Sequence, residues 1–551
     1  MSLDIGAALR RLASAPDTAA AWHDAAVALD RGGRDEDARA AWAQAHRLAP
    51  GDAAIAAGLA QADVESGLRR LLVHEPARLA ARLRLARLLR ARHRPSAARD
   101  VLRAVPSGQE DDAALLSARA VTELELGHQD EARRLAERAV AQEPEAASFH
   151  QLLCTIMAYQ DGVSGAELTA CLQRAAALWP RAPHPPAPRA DPGRRLRLGI
   201  LGGAFRRHPS TWLTLPAFEH LDRDAFEIHC FAVQSIDDVF TARWKAIAEA
   251  WHEASQDDHA AIAARIRGAG IDILIDLGGA LENGRLPVLA LRPAPVQVKW
   301  AGGQYHTTGF AEVDAFITDA FETPPELAHL YRERLIVMPG SYVCYDPPRD
   351  APGVAAPRGE RAITFASFNN LMKITPRVLD TWCAILRQLP DARLLMKTQQ
   401  LDEQAVRDAM LAAFASRDIA SSRIDLSGES DHAGVLAAYG AVDIALQPFP
   451  YCGGVTLLEG LFMGVPAIAL AGETFAARHG VSHLSNVGLA DCIAGTADDY
   501  IARAVTLASA RPRLALLRAQ LRDRLLNSPI CDAPAFARSF GAALRGLHRA
   551  A

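Results

Sequence analysis

The chain has 551 residues, half of them hydrophobic and 23% charged, which is ordinary for globular proteins and excludes wholesale disorder and fibrous classes. At roughly 100–200 residues per domain, the length predicts about three to five domains. The formal charge of −4 excludes a generally basic nucleic-acid binder, so no nucleic acid is expected as a partner. The opening MSLDIGAALRRLASA has no apolar core of a signal peptide, and no run reaches the roughly 18 apolar residues of a membrane span. No secretory leader and no membrane partner are therefore expected. The eight cysteines (Cys154, Cys171, Cys230, Cys344, Cys383, Cys452, Cys492 and Cys531) include no CxxC pair, which predicts free thiols in a reducing cytoplasm.

Residues 1–180 are rich in Ala, Leu and Arg, and they repeat. Gly33, Ala38, Trp42, Ala45 and Pro50 recur 94 positions later as Gly127, Ala132, Ala136, Ala139 and Pro144. Ala86, Leu89, Ala98 and Leu102 fit the same template, and Leu172, Ala175 and Pro180 supply a fourth match. Small residues at fixed positions let two helices of a hairpin approach closely, and Pro ends the second. Trp22, Ala38, Trp42 and Pro50 have tetratricopeptide spacing. The stretch from about 52 to 75 fits poorly, so four to five hairpins are expected. Two readings stay open: a spacer or homodimerisation solenoid, and a concave surface that takes extended protein segments. The tryptophans read as core.

Residues 181–195, RAPHPPAPRADPGRR, carry five prolines in fifteen and cannot form a regular helix, so they read as a linker. Strand–helix alternation follows. Apolar runs at 196–205, 226–233, 271–279, 296–303, 313–319 and 334–340 read as strands, with helices at 240–250 and 258–268. Pro and Gly at 347–360 mark a second boundary. A new alternating unit has strands at 362–370, 393–397, 423–428, 442–449 and 466–472, and a helical pattern covers 513–549. The expected domains are 1–180, a linker at 181–195, Rossmann-like halves at 196–355 and 360–520, and a terminal helix in 521–551. Ligands in such sheets sit at strand carboxyl ends.

The most informative stretch is PFPYCGGVTLLEGLFMGVPAIAL (448–470). A strand ends at Phe449, and Gly453-Gly454 leads into a helix predicted from about Thr456 to Met463. Glycines admit a ligand to the backbone, and a helix N-terminus offers N–H groups and a positive dipole end to a pyrophosphate. Glu459, one turn in, suits ribose hydroxyls. The bland alternative is an ordinary Rossmann turn with a capping Thr. Lys373 lies in FASFNNLMKITP, where Thr375 and Pro376 make an N-cap and N1 pair. A cation there can neutralise a departing diphosphate; otherwise it is a solvated loop lysine. His208 precedes Pro209 in GGAFRRHPST, which places it at a helix N-cap where the dipole favours the neutral ring. The alternative is a surface cap. Arg206 and Arg207 read as exposed charge. Asp222-Arg-Asp224 and Asp35-Glu-Asp37 match a DxD string but read as solvated turns, so no metal is expected. There is no GxSxG elbow and no GxxxxGK[ST] loop.

The repeats, together with GGAFRRHPS, LRPAPVQVKWAGG, VDAFITD, FASFNNLMKITP and YCGGVTLLEGLFMGVP, make the chain resemble the O-linked N-acetylglucosamine transferase/SPINDLY family over most of its length. The resemblance implies a tetratricopeptide α-solenoid joined to an inverting glycosyltransferase of the GT-B fold, two Rossmann-like domains facing a cleft. It implies UDP-N-acetylglucosamine as donor, Ser/Thr hydroxyls of intracellular proteins as acceptors held by the repeat groove, and no metal or other cofactor. By this resemblance His208 matches the active-site histidine and Lys373 the diphosphate lysine. Asn370 stands on the base side. Cys452, Gly453, Gly454, Val455 and Thr456 form the sugar–phosphate turn. Ser430 and His432 lie in the base loop, and Ala301 and Gly302 line the sugar pocket. Two departures bear on acceptor handling. DLGGALENGR (276–285) replaces a polar segment, so Ala280 and Leu281 lack its polar groups, and WAGGQYHTTG (300–309) is one residue longer than usual. Two other readings remain: a GDP-fucose-dependent O-fucosyltransferase of the SPINDLY branch, and a non-catalytic scaffold with a degenerate nucleotide-binding half.

Overall fold

A computed structural model describes residues 5–550 except 32–33, 183–193, 235, 280–283, 358 and 360. The core of the proline-rich linker, Gly33 of the repeat template, and Ala280 and Leu281 therefore lie outside the described residues, as do the side chains of Asp35 and Glu36.

Among the described residues ten helices come first: α1 (Ile5–Ser14), α2 (Ala19–Arg31), α3 (Asp35–Leu48), α4 (Ala53–His74), α5 (Leu79–Ala91), α6 (Pro95–Arg103), α7 (Ala113–Glu125), α8 (Gln129–Gln142), α9 (Ala147–Met157) and α10 (Gly165–Ala177). The template alanines pack as the repeat spacing predicts: Ala38, Ala45, Ala98, Ala132 and Ala139 are fully or almost fully buried. Trp42 is buried too. It lies where a Cβ on Gly58 would fall 2.6 Å from its ring, so only glycine admits it. The poorly fitting stretch 52–75 is a single long helix, α4, capped by Asp52. One expectation is corrected. Cys154 and Cys171 are not free thiols; they form a disulfide between α9 and α10, with Cα atoms 5.7 Å apart. The other six cysteines form no disulfide among the described residues.

The first sheet domain runs β1 (Leu196–Gly202), α11 (Pro209–Glu219), β2 (Phe226–Ala232), α12 (Val239–Ile247), β3 (Ala250–Glu253), α13 (His259–Gly268), β4 (Ile273–Asp276), α14 (Pro287–Ala290), β5 (Val296–Lys299), β6 (Ala315–Asp319) and β7 (Arg334–Met338). Its strands are parallel in the order β3-β2-β1-β4-β5-β6-β7. Strand β3 was not foreseen; the sequence pattern runs the preceding helix to 250. The second unit of alternation runs β8 (Thr364–Ser367), α15 (Pro376–Gln388), β9 (Arg393–Lys397), α16 (Gln404–Ala415), β10 (Ile424–Ser427), α17 (His432–Ala438), β11 (Ile444–Leu446), α18 (Val455–Phe462), β12 (Ala467–Leu470), α19 (His479–Asn486), β13 (Ile493–Ala494) and α20 (Ala497–Ser509). Its order is β10-β9-β8-β11-β12-β13. In both sheets the order reverses once, at β1/β4 and at β8/β11, which is where doubly wound sheets place ligands.

The 513–549 pattern is two helices, α21 (Arg511–Leu526) and α22 (Ala533–Ala550). Phe536, Phe540, Leu544 and Leu547 of α22 bury into the first sheet's core beside Phe218 and Trp300. The chain thus returns from the second alternating unit to close the first. By contacts the chain divides into two compact units, Met1–Pro144 with Ala366–Gly434, and Glu145–Phe365 with Val435–Ala551. Among the described residues no helix is long and apolar enough to cross a membrane.

Candidate functional site

In the larger unit, β1 ends in a turn that delivers His208 to the N-cap of α11, with Pro209 at the first helical position. The Nδ1 atom of His208 accepts the Ser210 main-chain N–H at 3.1 Å. A backbone N–H can only donate, so Nδ1 holds a lone pair and the neutral ring carries its proton on Nε2. Burial, with the nearby Arg206 charge, lowers the His208 pKa to about 4. The neutral form expected from the sequence is thus present, with burial as its main cause. Asp222 and Asp224 sit as expected in a turn, where the Asp222 carboxylate accepts the Asp224 N–H at 3.0 Å.

Beside α11 lies the loop after β5. Ala301 has φ +58, and its N–H donates to Gln304 Oε1 at 2.7 Å. A Cβ on Gly302 would fall 2.0 Å from the Leu277 carbonyl and 2.6 Å from Ser210 Oγ. The structure therefore brings Ala301 and Gly302 against the same helix start that carries His208. Sequence reasoning missed what holds them. Lys299 and Asp276 form a wholly buried ion pair at 2.8 Å. Lys299 Nζ also donates to the Gly302 carbonyl at 2.5 Å and the Asp276 carbonyl at 3.2 Å. Asp276 accepts the Gly279 N–H at 2.8 Å. Burial lowers the Lys299 pKa against the pull of Asp276. The signal was legible as a lysine inside the apolar run VQVKW and an aspartate closing IDILID.

The turn after β11 holds the predicted phosphate-binding residues. Gly454 is the N-cap of α18, with no side-chain cap of its own. Gly453 N–H donates to Gln447 Oε1 at 3.1 Å, and Cys452 N–H donates to the Ala476 carbonyl at 2.9 Å. Ala476 N–H in turn donates to the Tyr305 carbonyl at 2.9 Å. Helix α18 starts at Val455, one residue before the sequence expectation, which leaves the N–H groups of Val455 and Thr456 in its first turn. The Thr456 carbonyl accepts Tyr439 Oη at 2.7 Å. Glu459 is almost fully buried within α18. Behind the turn, His479 Nδ1 lies 2.6 Å from Glu322 Oε1 and 3.0 Å from Tyr342 Oη. Burial and neighbouring Asp319 hold the Glu322 carboxyl well above the usual range. Neither Gln447 nor this buried cluster was read from the sequence, because its members are far apart along the chain.

The smaller unit holds the remaining predicted residues. A short 3-10 turn, Leu371–Lys373, follows β8, and Asn370 caps it by accepting the Met372 N–H at 3.0 Å. Thr375 caps α15 with Pro376 at its first position, so half-buried Lys373 stands just ahead of that helix N-terminus. Asn370 Oδ1 also accepts Gln400 Nε2 at 2.5 Å. Ser430 and His432 follow β10, and Ser430 Oγ is buried without a hydrogen-bond partner among the described residues. The loop that carries them is pinned from β9 and the turn after it: Lys397 Nζ donates to the Gly428 carbonyl at 2.8 Å, and Asp402 accepts the Glu429 N–H at 3.1 Å.

The profile described as "Glycosyl transferase family 41" matches residues 142–349 and 356–540. The chain is 35% identical over 367 residues to the probable UDP-N-acetylglucosamine–peptide N-acetylglucosaminyltransferase SPINDLY of Arabidopsis thaliana, covering 65% of this chain and 40% of that one. It is 25% identical over 468 residues to the UDP-N-acetylglucosamine–peptide N-acetylglucosaminyltransferase of Caenorhabditis elegans, covering 62% and 39%. It spans about two fifths of the length of these curated relatives. A solved structure of a Thermobaculum terrenum O-GlcNAc transferase mutant superposes with a TM-score of 0.82 at 28% identity, covering 97% of this chain and 98% of that one.

Proposed function

Because this chain belongs to glycosyl transferase family 41, we propose that it transfers N-acetylglucosamine from UDP-N-acetylglucosamine, with inversion, to Ser/Thr hydroxyls of proteins in the cell interior. The observation that carries this is the placement of His208 and the Ala301–Gly302 loop on one helix start at the β1/β4 reversal. An acceptor hydroxyl attacks the anomeric carbon as its bond to the diphosphate breaks. The Lys373 ammonium takes the charge that builds on the departing UDP, and the N–H groups that open α18 suit an anion in their own right. Asn370, Ser430 and His432 face the base, Glu459 the ribose, and the repeats present the acceptor. His208 donates from Nε2 to the donor sugar or phosphate and does not receive the acceptor proton, which leaves to solvent. No metal takes part.

The test is transfer to a peptide library by purified protein, with calorimetry of UDP against GDP. We expect UDP to bind, Lys373→Ala to lower turnover by about 100-fold, and EDTA to change nothing. Tighter binding of GDP would replace the donor with GDP-fucose. Turnover that survives Lys373→Ala removes the role of that lysine, and no transfer at all leaves a scaffold.

A further inference from the structure

The turn that carries Lys373 is gripped from the helical repeats. Gln129, the first residue of α8, is 3% exposed. Its Nε2 donates to the Met372 carbonyl at 2.9 Å and reaches the Ile374 carbonyl at 3.4 Å. These are the carbonyls on either side of Lys373. An amide nitrogen has two hydrogens, so one side chain serves both. Gly127 closes on the same turn. Its φ is +81, and a Cβ there would fall 3.1 Å from the Leu371 carbonyl, so the α7–α8 turn approaches backbone to backbone. Elsewhere on this contact, Glu403 accepts the Ser96 and Ala97 N–H groups at 2.7 and 2.9 Å, capping the start of α6.

Leu371 and Ile374, on either side of the grip, are buried. A cavity of about 250 Å³ lies beside it, lined among others by Leu126, Leu371, Ile374, Leu379, Val406 and Met410. The two hydrogen bonds from Gln129 hold the main chain on both flanks of Lys373.

We propose that Gln129 is a positioning residue for Lys373: the α7–α8 hairpin of the repeat array sets where the diphosphate-binding ammonium stands, so the acceptor-presenting domain is also a structural part of the donor site. This rests on the role given to Lys373 above. The experiment is a double-mutant cycle with Gln129→Met, which keeps length and loses both donors, Lys373→Ala, and the pair, read as the Kd of UDP and of UMP in the full-length chain. Expected is a loss of about five- to twenty-fold in UDP affinity for Gln129→Met, a smaller loss for UMP, and no further loss when Lys373 is already Ala. Glu403→Gln, at the other joint of the same contact, should leave UDP affinity within about twofold. Should Gln129→Met melt early, Gln129→Glu carries the same cycle. An unchanged UDP affinity in either Gln129 variant, or a loss that persists in the Lys373→Ala background, overturns the proposal. If Lys373→Ala alone leaves UDP binding intact, the assignment of that lysine fails first, and the single variant shows it.

Discussion

His208 is a residue whose electrostatics decide between two chemistries. With its pKa near 4, the ring is neutral throughout the physiological range, so it adds no titrating limb to kcat/KM between about pH 5.5 and 7.5. Its lone pair is spent on Ser210, and only the Nε2 proton is left to offer. His208→Asn can still cap α11 and still donate, whereas His208→Ala can do neither. The Asn variant is therefore expected to retain at least ten times the activity of the Ala variant, by the usual worth of a charge-directed hydrogen bond. Equal losses in both, with a limb near pH 6.5 in the parent enzyme, would restore the base role. Lys299 poses the opposite problem, a charge with nowhere to go. Lys299→Met removes the cation beside the buried Asp276 carboxylate, and is expected to destabilise the chain by about 3–5 kcal/mol in denaturant unfolding. Adding Asp276→Asn should recover most of that. A single variant as stable as the parent would mean that water reaches the pair.

At the scale of elements, the disulfide is the sharpest correction. Cys154 and Cys171 stand 17 residues apart, a spacing that matches no local motif. They meet because the two helices of a repeat hairpin run antiparallel with their small residues facing, and a sequence pattern does not specify which positions face. Denatured, unreduced protein should titrate six thiols, against eight after reduction; eight without reductant would return both cysteines to the free state. Other elements were easier to read. Buried parallel strands show as apolar runs, so β1, β2, β5 and β9 stood out, though the runs for β1, β2 and β5 outlast their ladders where the chain enters a turn. β3 was hidden because Trp251 and His252 are only half-buried, and α4 because a 22-residue helix has no turn at which the repeat template can register. Among the candidate residues, the turns at 208, 373 and 454 were legible as Pro and Gly beside strand ends. Lys299, Gln129 and Gln447 were not, because what gives them meaning is a partner far away in sequence.

On the scale of the whole molecule, the boundaries that matter for contact are not those of chain order. Helices α1–α8 belong to the same compact unit as Ala366–Gly434, while α9 and α10 belong with the first sheet domain and with Val435–Ala551. Tyr159 just past the end of α9 stacks on Tyr451 at 4.5 Å, and Gln151 donates to Tyr305 Oη at 3.0 Å, so the last hairpin braces both the loop after β5 and the turn before α18. The Ala476 peptide joins those turns, accepting from Cys452 and donating to Tyr305. Both bonds use main-chain atoms. Neither bond between the loop after β5 and the turn before α18 therefore depends on the identity of a side chain at these three positions. Proline at 452 or 476 is the exception, since it would delete an N–H and unfasten one wall from the other. The separation of these two turns is thus fixed by main-chain hydrogen bonds.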